Sequence, residues 1–204
     1  GFKAELVAAE PLVMDPVAID WAADGSLWVA EMADYPSGKN GHGGRIVRLI
    51  DVDGDHQPDQ RQVFMGSVNF PTGIMAWGKG VIVSAGGEIF YAEDLDGDGS
   101  ADRHETWFTG FMEGNQQLRV NGLRWGLDDW IYCASGGHHA GFGVGTVIKC
   151  VKTGKEVKLG ARDFRFRPDG AFEPVSGPSQ FGRVRDNDGN WFGVQNAHPL
   201  WHYV

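Results

Sequence analysis

DPVAIDWAADGSLWVAEM, residues 15–32, reads as a strand, a short turn and a second strand. Three later segments follow the same plan: FPTGIMAWGKGVIVSAGG (70–87), RVNGLRWGLDDWIYCASGG (119–137) and QFGRVRDNDGNWFGVQN (180–196). Their second strands align at Leu27, Val81, Trp130 and Trp191, roughly 50–60 residues apart, the period of propeller blades with insertions. In the first two repeats a further hairpin follows, so each blade is four antiparallel strands, A inside to D outside. The expected strands are Pro16–Trp21, Leu27–Glu31, Arg45–Ile50 and Arg61–Met65, then Gly73–Trp77, Val81–Ala85, Glu88–Glu93 and His104–Thr109. In the third blade TVIKCVKTGKEVKLGAR forms an inserted hairpin turning at Thr153–Gly154, and DFRFRPDGAFEPVSG supplies strands C and D around Asp169–Gly170. The fourth is expected to stop after two strands, at NAHPLWHYV. The blades run over about 15–66, 70–110, 119–177 and 180–204. Trp21, Trp77, Trp125 and Trp130 are expected to wedge between them. Three and a half blades cannot close a ring with protected edges, so residues 1–204 are expected to be the N-terminal part of one larger β-propeller.

Composition agrees with an all-β chain: 31 glycines, eight tryptophans and hardly a helical period in 204 residues. No apolar run is long enough to span a membrane, and the opening GFKAELVAAEPLV is not a signal peptide and reads like the interior of a longer protein. The formal charge of −9 is concentrated in two nine-residue loops, DVDGDHQPD (51–59) and DLDGDGSAD (94–102), which hold eight aspartates. Asp51, Asp53, Asp55 and Asp59, like Asp94, Asp96, Asp98 and Asp102, stand at loop positions 1, 3, 5 and 9. That spacing can converge four carboxylates on a hard cation such as Ca2+; an ordinary solvated acidic turn uses the same residues. Position 6 is the permissive Gly99 in the second loop and His56 in the first, so the first site should be the weaker. Flanking strands, with Gln62 at position 12 of the first loop and Glu105 at that of the second, set both loops apart from full EF-hands. No basic cluster interleaves with aromatics, which argues against nucleic acid as a partner.

In an up-and-down blade the A–B and C–D turns share one face and the B–C and D–A loops share the other. The acidic loops are C–D turns, so a role in stability is expected of them. The binding face is then built from 32–44, 66–72, 111–121, 136–145, 177–183 and 195–202. Arg119 and Asn121, with Gln116 and Gln117, stand at the mouth of an inner strand, suited to an anionic or carbonyl-bearing ligand. His42, His138, His139, His198 and His202 also fall on this face. His138 and His139, in SGGHHAGFGVG, are the candidates for a catalytic base or metal ligand; adjacent strand residues point oppositely, so one of them at most faces the funnel. Pro199 argues against a helical metal pair at His198 and His202. Cys133 and Cys150 can be a disulfide or two buried thiols.

GNQQLRVNGLRWGLDDWIY (114–132) and DPVAIDWAADGSLWVAEMADYP (15–36), taken with the acidic loops and QFGRVRDNDGNWFG (180–193), resemble the membrane-bound dehydrogenase family abundant in planctomycete-type bacteria. The similarity extends over nearly the whole chain. It implies kinship with soluble quinoprotein glucose and sorbosone dehydrogenases, propellers that hold pyrroloquinoline quinone (PQQ) on the funnel face. It also implies a periplasmic or extracellular setting and a cytochrome c electron acceptor, although no CxxCH haem motif occurs here. The base expected from the resemblance is a histidine where this chain has Leu118. Two readings follow: an extracytoplasmic quinone-dependent dehydrogenase of sugars or other polyols, or a non-catalytic, calcium-stabilised propeller that binds a glycan or a protein.

Overall fold

The computed structural model describes residues 1–33, 35–36, 43–137 and 141–203. The first blade is β1 (Pro16–Trp21), β2 (Leu27–Glu31), β3 (Gly44–Ile50) and β4 (Gln60–Val68), paired antiparallel in that order. The second repeats it with β5 (Pro71–Trp77), β6 (Gly80–Ala85), β7 (Glu88–Glu93) and β8 (Arg103–Thr109). The third begins with β9 (Asn121–Trp125) and β10 (Ile131–Ala134). The chain then leaves it to form the hairpin β11 (Val147–Cys150) and β12 (Glu156–Lys158), and returns as β13 (Asp163–Phe166) and β14 (Phe172–Val175). The hairpin joins the outer edge of the second blade, Lys149 opposite Thr109, making that sheet six-stranded and covering the β8 edge.

The fourth blade differs from expectation. It has three strands, β15 (Arg183–Arg185), β16 (Trp191–Gln195) and β17 (His198–Tyr203). Pro199 is tolerated because β17 is the edge of its sheet, where a missing N–H breaks no inner ladder. Inner strands β1, β5, β9 and β15 lie side by side in sequence order, an open arc of propeller blades. Among the described residues no helix is long and apolar enough to cross a membrane.

The cores lie between blades. Trp28, Ile46 and Phe64 of the first meet Ile74, Val83 and Phe90 of the second. Ile82, Ile89 and Phe108 of the second meet Leu123, Phe164 and Phe166 of the third. Phe108 has ring centroids 5.5, 5.1 and 5.3 Å from Phe164, Phe166 and Phe172; each such pair contributes about 0.5–1.5 kcal/mol beyond its burial. The central strands β6 and β10 are buried along their whole length, which is why they read as largely apolar runs without alternation. Trp77 and Trp125 do pack across a blade junction, centroids 5.2 Å apart. Trp21 does not: it is 52% exposed, on the side of β1 away from Ala18 and Asp20, which face the second blade. Trp130 lies under Arg165 and Arg167 of its own blade. Cys133 and Cys150 are buried free thiols.

Candidate functional site

At the end of the blades where the B–C and D–A loops gather, a cavity of about 1000 Å³ opens against the inner strands. Its walls include Val17 and Ile19 of β1, Gly73 and Ile74 of β5, and Leu123 and Arg124 of β9. The strand walls are largely apolar, and the loops furnish most of the polar groups. Gln116, Gln117, Arg119 and Asn121 all line it, so the structure brings together the four residues singled out as ligand-binding. Asp15, Tyr35 and Phe181 line it too. Tyr35 and Phe181 fall within the segments expected to build the binding face, whereas Asp15, just before β1, lies outside them; each comes from a different connection, and only the ring arrangement makes them neighbours.

Arg119 is the unusual group. It is 6% exposed, its guanidinium carbon stands 3.8 Å from the Phe70 ring centroid, and Nε is 3.5 Å from Glu113 Oε1. Nε and Nη1 nevertheless have no hydrogen-bond partner, and neither does Glu113 Oε1. Burial pushes the Glu113 carboxyl up against the pull of Arg119, which weakens the one counter-charge beside the guanidinium among the described residues. A buried cation with orphaned donors is costly unless something completes it, and the same side chain lines the cavity. Asn121 stands differently. Its Nδ2 donates to Arg119 O and Gln180 O, both at 2.8 Å, so both amide protons are committed to backbone. Only its Oδ1 remains for a ligand, and its first effect is to tie the Arg119 segment to loop 176–182.

Leu118 is buried and does not line the cavity. His198 and His202 are in β17, where His202 stacks on Phe192 at 5.0 Å; neither lines the cavity, although Asn196 in the turn before β17 does. His42, His138 and His139 fall outside the described residues.

The acidic loops are the β3–β4 and β7–β8 turns, at the opposite end of the strands from the cavity-lining loops. Oxygens of Asp51, Asp53 and Asp59 lie within 4.8 Å of one another, as do those of Asp94, Asp96 and Asp102. Two oxygens bound to one Ca2+ at about 2.3–2.6 Å can be at most about 5 Å apart, so the spacing suits that ion. Asp55 and Asp98, expected as fourth ligands, are outside these clusters and accept from the amides of Gln57 at 2.8 Å and Ser100 at 2.7 Å. The Gly97 and Gly99 N–H groups hold the Asp94 carboxyl below the usual carboxylate range against some desolvation. Asp51 is lowered likewise: desolvation opposes, and the Gly54 and His56 amides prevail. The second loop also reaches the first blade, where Ala101 N donates to Phe64 O at 2.9 Å.

With 18% identity and a TM-score of 0.58, the chain is similar to the PQQ domain of pyranose dehydrogenase from Coprinopsis cinerea, over 93% of this chain and 45% of that one. The AA12 carbohydrate-active enzyme of Trichoderma reesei gives 12% identity and a TM-score of 0.50, over 95% of this chain and 55% of that one. At such identities the likeness establishes the fold, and the chain spans about half the length of either structure. No curated protein matches the sequence. A family model matches residues 1–204 throughout, and the chain belongs to that family, described as a domain of unknown function, DUF7133.

Proposed function

We propose that this chain is part of an extracytoplasmic quinone-dependent oxidoreductase acting on a sugar or another polyol, with the cavity as its cofactor and substrate site. The observation that carries the reading is Arg119, buried, with two orphaned N–H groups beside a single 3.5 Å ion pair to Glu113, and lining a cavity large enough for a tricyclic quinone and a sugar. A propeller fold shared with a PQQ domain adds support. The donor set suits PQQ: Arg119 offers N–H groups to a carboxylate, and Gln116 and Gln117 offer amides to carboxylate or carbonyl oxygens. When bound, the quinone would supply a two-electron acceptor for the hydride of an alcohol carbon. The chain's own part is to fix that acceptor, to exclude water with Val17, Ile19 and Phe181, and to accept the hydroxyl proton. Asp15 is the one carboxylate among the described cavity-lining residues and is placed for the last task; His138 or His139 is the other candidate. Calcium in the rim loops would serve stability, and a cytochrome c would take the electrons onward.

The second reading, a non-catalytic propeller binding a glycan or protein, draws on Leu118, whose buried side chain cannot serve as a base. The full-length protein separates the two. Titration with PQQ in calcium should give saturable quenching of tryptophan fluorescence, weakened at least tenfold by Arg119→Met, and dye reduction with one member of a sugar panel. No quinone binding refutes the first reading; glycan binding without turnover establishes the second.

A further inference from the structure

Asp163 opens β13 with no exposed surface, and five groups gather around it from four directions. From loop 176–182, Ser179 donates its N–H at 2.8 Å and its hydroxyl at 2.7 Å. From β15, the Arg183 guanidinium comes within 3.5 Å. From β17, the Tyr203 hydroxyl reaches Ser179 Oγ at 2.7 Å. From β10 comes the Cys133 thiol and, from the residue just past its end, the Ser135 amide, while β14 presents Val175 opposite. Arg183 is itself enclosed by the rings of Tyr132, Trp191 and Tyr203, with its carbon 5.5, 5.2 and 4.2 Å from their centroids. Gly177 lies so close that a Cβ there would stand 2.6 Å from Asp163 Cγ.

The loop held by Asp163 forms part of the cavity wall. Gln180 O anchors Asn121, and Phe181 lines the cavity. We propose that Asp163, Ser179, Arg183 and Tyr203 form a protonation-governed latch between the third and fourth blades, which sets how firmly loop 176–182 closes one wall of the cavity.

The direction follows from linkage. Burial raises the Asp163 carboxyl from 3.8 to about 6, against the opposing pull of Ser179 and Arg183. Opening the loop hydrates the carboxyl and returns it toward its ordinary value. The closed state therefore has its full advantage below about 3.8 and loses it as pH rises through about 6. Over that range the opening equilibrium shifts by about 100-fold toward open. Any effect on ligand affinity rests on the cavity reading above; the latch itself does not.

Hydrogen exchange tests it on the chain without ligand. Protection factors of the Ser179 and Gln180 amides, corrected for intrinsic exchange, should fall roughly 30-fold between about pH 4.5 and about pH 7.5. Amides of the β13–β14 ladder should change far less. Tyr203→Phe, which spares the carboxyl, should lower protection at every pH and keep the pH dependence. Asp163→Asn should abolish that dependence. Protection independent of pH, or a dependence surviving Asp163→Asn, overturns the proposal. If Asp163→Asn does not fold, carbonyl NMR of the wild type decides: an Asp163 midpoint in the ordinary aspartate range overturns the latch, and one near 6 over which Ser179 protection falls upholds it. Failure to bind quinone would leave these outcomes untouched.

Discussion

His56 and Gly99 hold the same position in two loops of one design, and the backbone bends alike at both, with φ of 72° and 87°. That region is open to glycine and costs an L-residue about 1–2 kcal/mol. Replacing His56 by glycine removes that cost but adds freedom to the unfolded chain, about 0.5–1 kcal/mol. A net gain of about 0.5 kcal/mol is expected, seen in scanning calorimetry as a rise of roughly 1–2 °C in Tm. Gly99→His should do the opposite, and by more. A Cβ at Gly99 would fall 1.4 Å from Gln62 Nε2, so the substitution strains the backbone and displaces a side chain that reaches from the first blade to Asp98 O. Equal and opposite effects of the two substitutions would show that position 6 is set by conformation alone.

The two rim hairpins convert this local geometry into stability. Three carboxylates within 4.8 Å repel one another until a cation joins them. Calcium that binds the folded form alone adds about 2.7 kcal/mol at a hundredfold excess over Kd, or roughly 5–10 °C in a chain of this size. Chelation should remove that increment, and Asp96→Ala should remove most of it, since the second loop also ties the first two blades together through Ala101. A melting curve indifferent to chelator would end the calcium assignment. Elements of this kind were legible in advance: β1, β2 and β7 run where alternation and turn residues place them, because their pattern is local. β17 was not, because His198-Pro199 resembles a strand breaker until the strand is known to be an edge. The pairing of β11 with β8 was hidden too, since nothing in TVIKCVK names which neighbouring sheet has a free edge. Arg119 was legible as a candidate, while its missing partners and the commitment of Asn121 to two carbonyls depend on contacts 59 residues apart and closer.

Across the arc, the acidic loops and the cavity stand at opposite ends of the same strands, and Arg119 exposes the tension between stability and the proposed ligand binding. Its guanidinium is desolvated without full compensation, which lowers the stability of the ligand-free fold. Arg119→Met keeps the packing on Phe70 and removes the orphaned donors, and Glu113, already pushed toward its neutral form by burial, can then bind a proton. The ligand-free variant should therefore melt at the same temperature as the wild type or a few degrees higher, while its affinity for PQQ falls at least tenfold. Asp96→Asn should give the mirror image: a lower Tm that no longer responds to calcium, with ligand affinity at low temperature unchanged. A destabilised Arg119→Met would mean that the guanidinium is a structural support and that the cavity has lost its anchor. Loss of ligand affinity in a folded Asp96→Asn protein would mean that the rim and the cavity are coupled through the blades, because strands held rigid by their ladders would then be transmitting a change in a turn to the loops at their far end.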